Sequence, residues 1–143
     1  MEMPGKLDVG LFKSPDSMTL IWTLNGQTVA MNSLSPGMAV IERGGPDLAL
    51  IDMDGRHIDV ELREYKEHWF GIANTKTRRV ALIFKDGTSV SADTRPDLWK
   101  IDGFRMFAGT QQRTDDLHAE GFKIVGYGKD GRELWQENHE PTR

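Results

Sequence analysis

Apolar and polar residues alternate along most of this chain, in short runs that end at Asn-Gly or Asp-Gly pairs. Alternation with a period of two predicts strands with one buried face, and the spacing typical of helices is scarce. Asn-Gly and Asp-Gly pairs provide the positive φ angles that tight hairpin turns require. The pairs are Asn25-Gly26, Asp54-Gly55, Asp86-Gly87, Asp102-Gly103 and Asp130-Gly131.

Four of these pairs predict β-hairpins with two-residue turns, and each turn sets a register between its strands. In the first hairpin, Val29 and Met31 continue the apolar face that carries Leu20 and Trp22. The cross-strand pairs predicted for the other three hairpins are Ile51 with Ile58 and Ala49 with Val60, then Ile83 with Val90 and Ala81 with Ala92, and finally Gly126 with Trp135.

The segments between the hairpins are less regular. A further short strand is predicted over Phe104–Ala108. Leu62–Trp69 fits either a strand that leads through a tight connection into a strand over His68–Asn74, or a helical turn. Gln111–Glu120 is polar and predicts a loop or a short helix.

Frequent turns and scarce helical spacing together predict an all-β protein. The fold class we expect is an antiparallel β-sandwich, or a sandwich-like barrel, built from several short hairpins. A chain of 143 residues suits one domain, since halves of roughly 70 residues would each have a marginal core. We expect this domain to span residues 7–137, with flexible tails at 1–6 and 138–143.

The composition excludes several classes of function. Cysteine is absent, which excludes disulfide scaffolds, thiol catalysis and cysteine-ligated metals. The formal net charge is −4, which gives no electrostatic reason to expect nucleic acid as a partner. No apolar run reaches 18 residues, so no transmembrane segment is predicted. The sequence contains no nucleophile elbow and no glycine loop for a phosphate, so neither catalytic residues nor a cofactor is predicted.

A candidate metal site is Asp52 with His57 and Asp59. The predicted Asp54-Gly55 hairpin places Asp52 across from His57, and His57 and Asp59 emerge from one face of a strand. The alternative interpretation of this cluster is a charge pair on a solvated face of the sheet.

A candidate ligand or partner surface consists of Arg78, Arg79 and Trp99. The two arginines belong to the densest basic run of the sequence, Lys76–Arg79, and Trp99 lies in the polar segment Arg95–Lys100. The alternatives are a solvated loop that enters a strand, for the arginines, and a core aromatic residue, for Trp99.

Four motifs follow one another in the second half of the chain. They are Trp69-Phe70-Gly71-Ile72, Arg79–Phe84 after a basic loop, Gly103-Phe104-Arg105-Met106-Phe107, and the closing Val125-Gly126-Tyr127-Gly128-Lys129-Asp130-Gly131-Arg132-Glu133. The first hairpin adds Leu20-Ile21-Trp22-Thr23-Leu24-Asn25-Gly26. With these motifs the chain resembles, over about Ser17 to Gln136, a group of small uncharacterised extracytoplasmic proteins of Gram-positive bacteria.

The resemblance implies an extracytoplasmic location behind a signal peptide or lipid anchor, and it transfers no catalytic residues. Our hypothesis is a non-enzymatic, envelope-associated binding module whose partner is a protein or a component of the cell envelope. One alternative is a small metal-dependent hydrolase that uses Asp52, His57 and Asp59. Another is a regulatory interaction protein of the cytosol, which corresponds to a cytoplasmic location.

Overall fold

A computed structural model describes residues 1–34, 47–52, 65–99, 101, 103–113 and 121–140 of the chain. It begins with a short 3₁₀ turn at Pro4–Lys6, and strands follow. The strands are β1 (Leu7–Ser14), β2 (Ser17–Leu24), β3 (Gln27–Ser33), β4 (Asp47–Asp52), β5 (Tyr65–Ala73), β6 (Arg79–Phe84), β7 (Ser89–Asp93), β8 (Arg105–Arg113), β9 (Phe122–Tyr127) and β10 (Glu133–His139).

The strands form three antiparallel sheets, which confirms the all-β prediction. The first sheet has the order β1-β2-β3, the middle sheet β4-β5-β8, and the third sheet β10-β9-β6-β7. In the first sheet, strands that follow one another in the chain pair as hairpins. β8, in contrast, follows β7 of the third sheet in the chain but pairs with β5 of the middle sheet. The sandwich arrangement itself stays a prediction.

The middle sheet packs against a different core cluster on each face. Successive side chains of a strand point to opposite faces, so Phe70 joins the first sheet's core while Trp69 joins the third sheet's core. The Trp22 and Phe70 rings lie 4.8 Å apart between the first and middle sheets. Burial on both faces explains why the sequence of β5 around Trp69–Ala73 is apolar without alternation.

The first core cluster joins the first sheet to the middle sheet, and the second joins the middle sheet to the third. The buried residues of the first core cluster are Met3, Leu7, Val9, Leu20, Trp22, Leu34, Phe70, Ile72, Phe104, Met106 and Ala108. Those of the second core cluster are Trp69, Ala73, Val80, Leu82, Phe84, Phe107, Phe122 and Ile124.

The first hairpin has the predicted turn but not the predicted register. Asn25 and Gly26 have φ angles of 53° and 80°, as a two-residue turn of type I′ requires. A bulge at Trp22/Thr23 then shifts the pairing by one residue, so that Trp22 lies opposite Ala30. The prediction that Met31 shares the buried face is therefore wrong: Met31 is 66% exposed, and Asn32 points inward.

The third predicted hairpin closes through three residues instead of two. Gly87 N donates to Phe84 O and Phe84 N donates to Thr88 O, so Lys85, Asp86 and Gly87 form the loop. The predicted pairs of Ile83 with Val90 and of Ala81 with Ala92 are wrong. Leu82 lies opposite Val90, and Val80 lies opposite Ala92.

The fourth hairpin has the same three-residue loop, yet its predicted pair is confirmed. Gly131 N donates to Gly128 O over 3.0 Å, and Gly128 N donates to Arg132 O over 2.8 Å. A bulge between Glu133 and Trp135 then restores the register that a two-residue turn would give. Trp135 therefore lies opposite Gly126, and its ring covers the position where a side chain would stand.

The strand predicted over His68–Asn74 is confirmed as β5, which begins three residues earlier, at Tyr65, and ends at Ala73; the segment before Tyr65 lies outside the described residues. The loop or helix predicted from Gln111 is wrong for residues 111–113, which belong to β8. The Asp54-Gly55 hairpin lies outside the described residues.

Residues 1–6, for which a tail was expected, lie against the first sheet: Met3 is 5% exposed and its N–H donates to Leu7 O.

Candidate functional site

The loop that leads into β6 is held by one side chain. Asn74 directly follows β5, and its Oδ1 accepts hydrogen bonds from Lys76 N, Thr77 N and Thr77 Oγ1 at 2.8–3.0 Å. An Asn side chain that caps the amides two and three residues on fixes a turn locally. The loop therefore presents its basic residues from a defined backbone.

Two threonines join this loop to the neighbouring elements. Thr77 is fully buried, and its Oγ1 accepts a hydrogen bond from Trp135 Nε1 over 2.9 Å. Thr94 Oγ1 donates to the carbonyl oxygen of Thr77 over 2.7 Å. The hydrogen bonds thus link β10, the 74–78 loop and the residue after β7 at one end of the third sheet.

Arg78 extends the third sheet by one residue before β6 begins. Its N–H donates to Tyr127 O and its carbonyl oxygen accepts from Thr94 N, at 2.7 and 2.9 Å. The side chain is exposed, and its guanidinium donates to the carbonyl oxygen of Thr75. A guanidinium group has five N–H donors, so Arg78 keeps donors for a ligand.

Arg79 projects from the other face of the same strand. Its guanidinium carbon lies 4.8 Å from the centroid of the Tyr127 ring, within the range of a cation–π interaction. Asp93 is its cross-strand partner on β7 and offers a carboxylate on the same face. Arg79 is thus oriented by a ring and has an acidic neighbour.

Arg105 approaches Arg78 from the middle sheet. Its Nε donates to Thr94 Oγ1 over 2.7 Å and its Nη2 to the carbonyl oxygen of Thr94 over 3.0 Å. Burial, and next the positive charge of Arg78, lower the pKa of the Arg105 guanidinium. Arg78 is bound to Thr94 through its backbone carbonyl, and its positive charge acts on the neighbouring Arg105.

We call Arg78 and Arg105 together the arginine surface, while Arg79 lies on the opposite face of the third sheet. Arginine keeps its charge at neutral pH, and its planar fork matches the two oxygens of a carboxylate or phosphate. All three guanidinium groups already have an orienting contact within the protein. The arrangement is suited to binding an anion, and it offers donors and charge instead of a nucleophile with its base.

Of the residues predicted from sequence, Arg78 belongs to this surface, Arg79 lies on the opposite face of the sheet, and Trp99 does not share these contacts. Trp99 is partly buried and packs against the first core cluster. The backbone N–H of Trp99 donates to Asp97 Oδ2 over 3.0 Å, and the backbone N–H of Ile101 donates to the same oxygen over 2.9 Å. The neighbouring side chain of Leu98 is the more exposed one, at 67%.

Arg105 was not predicted from the sequence. A signal was present, because Arg105 is the one charged residue of the predicted strand Phe104–Ala108, whose neighbours Phe104 and Met106 are buried. A charged residue at the start of such a strand either lies at an exposed end or serves a specific contact. Its approach to Arg78 depends on which sheet β8 joins, and local sequence does not encode that choice.

The predicted metal site lies largely outside the described part of the chain. Asp52 ends β4 opposite Glu67, while His57 and Asp59 are outside the described residues. Among the side chains that the structure does describe, no group of three His, Asp or Glu residues is placed to hold a metal ion.

No family model, curated protein or solved structure matches this chain. Within the described ranges, the structure has no helix of the length and apolar character needed to cross a bilayer.

Proposed function

We propose that this protein is a non-enzymatic binding module that holds an anionic group of its partner on the arginine surface. The observation that carries the proposal is the position of two arginines on either side of Thr94: the Arg105 guanidinium is bonded twice to Thr94, and the carbonyl oxygen of Arg78, whose side chain is exposed, accepts from Thr94 N. An anion between these groups relieves their repulsion and satisfies their remaining donors.

The fixed position of the donors supports affinity. An ordered side chain loses little further conformational entropy when it binds a ligand, whereas a free arginine loses up to about 2 kcal/mol. Arg105 is held by Thr94, Thr94 by Thr77, and Thr77 by Asn74 and Trp135. This chain of hydrogen bonds spans both sheets that contribute arginines.

The partner we propose is a protein or a cell-envelope component that carries carboxylates or phosphates. Two arginines beside Thr94 form a small site, whereas nucleic acids require a longer basic surface. The resemblance to extracytoplasmic proteins supports a location outside the cytoplasm, and that location is part of the proposal.

The proposal is tested by titrating the protein with inorganic pyrophosphate and, separately, with a triglutamate peptide, at low salt, by isothermal titration calorimetry. We expect Arg78→Gln and Arg105→Gln each to weaken binding by at least about tenfold, which corresponds to roughly 1.4 kcal/mol for a charged hydrogen-bonded contact. Arg78→Lys keeps the charge and loses the fork, so we expect it to restore only part of the affinity.

The control is Lys13→Gln, which removes one exposed positive charge from β1 in the first sheet. If Lys13→Gln and Arg78→Gln weaken binding equally, the interaction depends on net charge alone and the arginine surface is not a site. Thermal unfolding of each variant establishes that Arg105→Gln is folded at the titration temperature. An absence of binding of both probes to the unmodified protein contradicts the proposal.

A further inference from the structure

The two residues of the arginine surface stand at one end of the space between the middle and third sheets. Successive side chains of a strand point to opposite faces, so Arg78 shares its face with Val80, and Arg105 shares its face with Phe107. Val80 and Phe107 are both buried in the second core cluster. Arg78 and Arg105 therefore border this cluster from its two sides, one from each sheet.

Thr94 lies between these two arginines and holds Arg105 through both of its oxygens. Thr94 is 6% exposed, and its Oγ1 and its carbonyl oxygen accept hydrogen bonds from Nε and Nη2 of Arg105. The Thr94 hydroxyl donates its own proton to the carbonyl oxygen of Thr77 over 2.7 Å. A hydroxyl has a single proton, so this bond turns a lone pair of Oγ1 toward Arg105 and fixes the acceptor.

These hydrogen bonds use one edge of the Arg105 guanidinium and leave another edge available. Nε and Nη2 form the side edge of the planar group, and two of its five N–H donors are committed there. The three remaining N–H groups, two on Nη1 and one on Nη2, have no partner in the part of the chain that the structure describes. One N–H of each of these nitrogens forms the end edge, whose two parallel donors match two oxygens of a carboxylate or a phosphate.

The backbone amides nearest to the two arginines are already used within the protein. Lys76 N and Thr77 N donate to Asn74 Oδ1, Arg78 N to Tyr127 O, Thr94 N to Arg78 O, and Arg95 N to Met106 O. An anion at this place therefore takes its hydrogen bonds from side chains. The edge that Arg105 presents thus decides how the anion is held.

We propose that Thr94 is the positioning residue of the arginine surface. It holds Arg105 by the side edge, so that the end edge, Nη1 and Nη2, binds two oxygens of one carboxylate or phosphate. This role rests on the proposed function and adds which atoms bind and which residue orients them. Arg78 contributes charge and further donors from the third sheet. Thr94 acts through Arg105 and does not itself touch the anion.

A double-mutant cycle tests this role. Isothermal titration calorimetry at low salt measures the Kd of triglutamate, and separately of pyrophosphate, for the unmodified protein, Thr94→Val, Arg105→Gln and the double variant. We expect Thr94→Val to raise Kd by about threefold to tenfold, because a guanidinium that must be ordered on binding loses affinity. In the Arg105→Gln background, Thr94→Val should leave Kd unchanged, because the side chain through which Thr94 acts is already removed. Thr94→Ser keeps the hydroxyl, so we expect it to retain the affinity of the unmodified protein.

The side-chain N–H signals of Arg105 in a two-dimensional NMR spectrum report the edge directly. We expect an Nε–H signal in the unmodified protein and in Thr94→Ser, and we expect Thr94→Val to shift it and to speed its exchange with water. On saturation with triglutamate, the Nε–H signal should move less than the Nη signals, because Nε stays on Thr94. This readout separates the orientation of Arg105 from a general loss of stability, which thermal unfolding of each variant measures.

An equal rise in Kd for Thr94→Val with and without the Arg105 side chain would overturn the positioning role. An Nε–H signal that shifts more than the Nη signals when triglutamate binds would overturn it as well, and this measurement needs no variant to fold. In both cases the probes still bind and Arg105→Gln still weakens binding, so the proposed function stands. If neither probe binds the unmodified protein, the proposed function fails and the role of Thr94 fails with it.

Discussion

At the scale of single residues, one inward-facing polar side chain sets the arrangement of the first sheet. Asn32 is 8% exposed, and its Oδ1 accepts a hydrogen bond from the buried Trp22 Nε1 over 2.7 Å. A buried indole N–H without an acceptor would lose its hydrogen bond to water without compensation. The bond therefore accounts for a polar residue in the core and for Met31, which is more apolar, on the exposed face.

We expect Asn32→Leu to lower the free energy of unfolding by about 1–3 kcal/mol, because it leaves Trp22 Nε1 buried without its acceptor. Urea denaturation followed by tryptophan fluorescence measures the change. Met31→Ala is the matched control on the adjacent, exposed position, and we expect it to stay within about 0.5 kcal/mol of the unmodified protein. Equal stability of Asn32→Leu and the unmodified protein would show that the hydrogen bond between Asn32 and Trp22 makes no net contribution to the free energy of unfolding.

At the scale of elements, an Asn-Gly or Asp-Gly pair marks the turn of three described hairpins, β2–β3, β6–β7 and β9–β10, and the residue before glycine decides the turn type. The β1–β2 hairpin turns at Pro15-Asp16 and was not predicted. Asn25 itself adopts a positive φ, so its turn has two residues. Asp86 does not adopt a positive φ. Its carboxylate instead accepts hydrogen bonds from Thr88 N and Thr88 Oγ1 at 3.0 and 2.6 Å. Within this loop, only Gly87 has a positive φ, of 88°, and the loop has three residues instead of the two at Asn25-Gly26. The carboxylate of Asp130 caps Arg132 N in the same way.

A β-branched residue at Gly87 tests this turn. We expect Gly87→Val to destabilise the protein by more than about 1 kcal/mol, since valine disfavours positive φ and open space around the position excludes a steric cause. Gly87→Asn is the control because asparagine tolerates the left-handed region, and its loss should be smaller. Thermal unfolding compares the two. An unchanged melting temperature for Gly87→Val contradicts the assigned turn.

At the scale of the whole molecule, the middle sheet couples the two core clusters. Phe70 and Phe107 are buried on its opposite faces, one against the first sheet and the other against the third. Neither outer sheet buries its apolar face without the middle one, and exposing that apolar area to water costs about 25 cal/mol per Å². We therefore expect the three sheets to unfold together.

Phe107→Ala tests this cooperativity. It removes a fully buried ring from the second core cluster, and we expect a loss of about 3–5 kcal/mol. Native-state hydrogen exchange should show that slowly exchanging amides of β1 and β2, in the first sheet, lose protection together with those of β6 and β9. Leu134→Ala, at a 40% exposed position, is the control. Loss of protection confined to the third sheet would show that the clusters unfold independently.

The sequence by itself determined the all-β class, the turns at Asn25-Gly26, Asp86-Gly87 and Asp130-Gly131, the contact of Trp135 with Gly126, and Arg78 of the candidate surface. These features depend on local patterns: alternation, the conformational range of Asn, Asp and Gly, and a basic run. The tertiary structure decided the bulges, the partner of each strand and the approach of Arg105 to Arg78. A one-residue bulge costs little locally but reverses which side chains are buried, so only the packing of the opposing sheet selects it. The pairing of β5 with β8 is likewise selected by two core clusters at once, and no single segment of the chain contains that information.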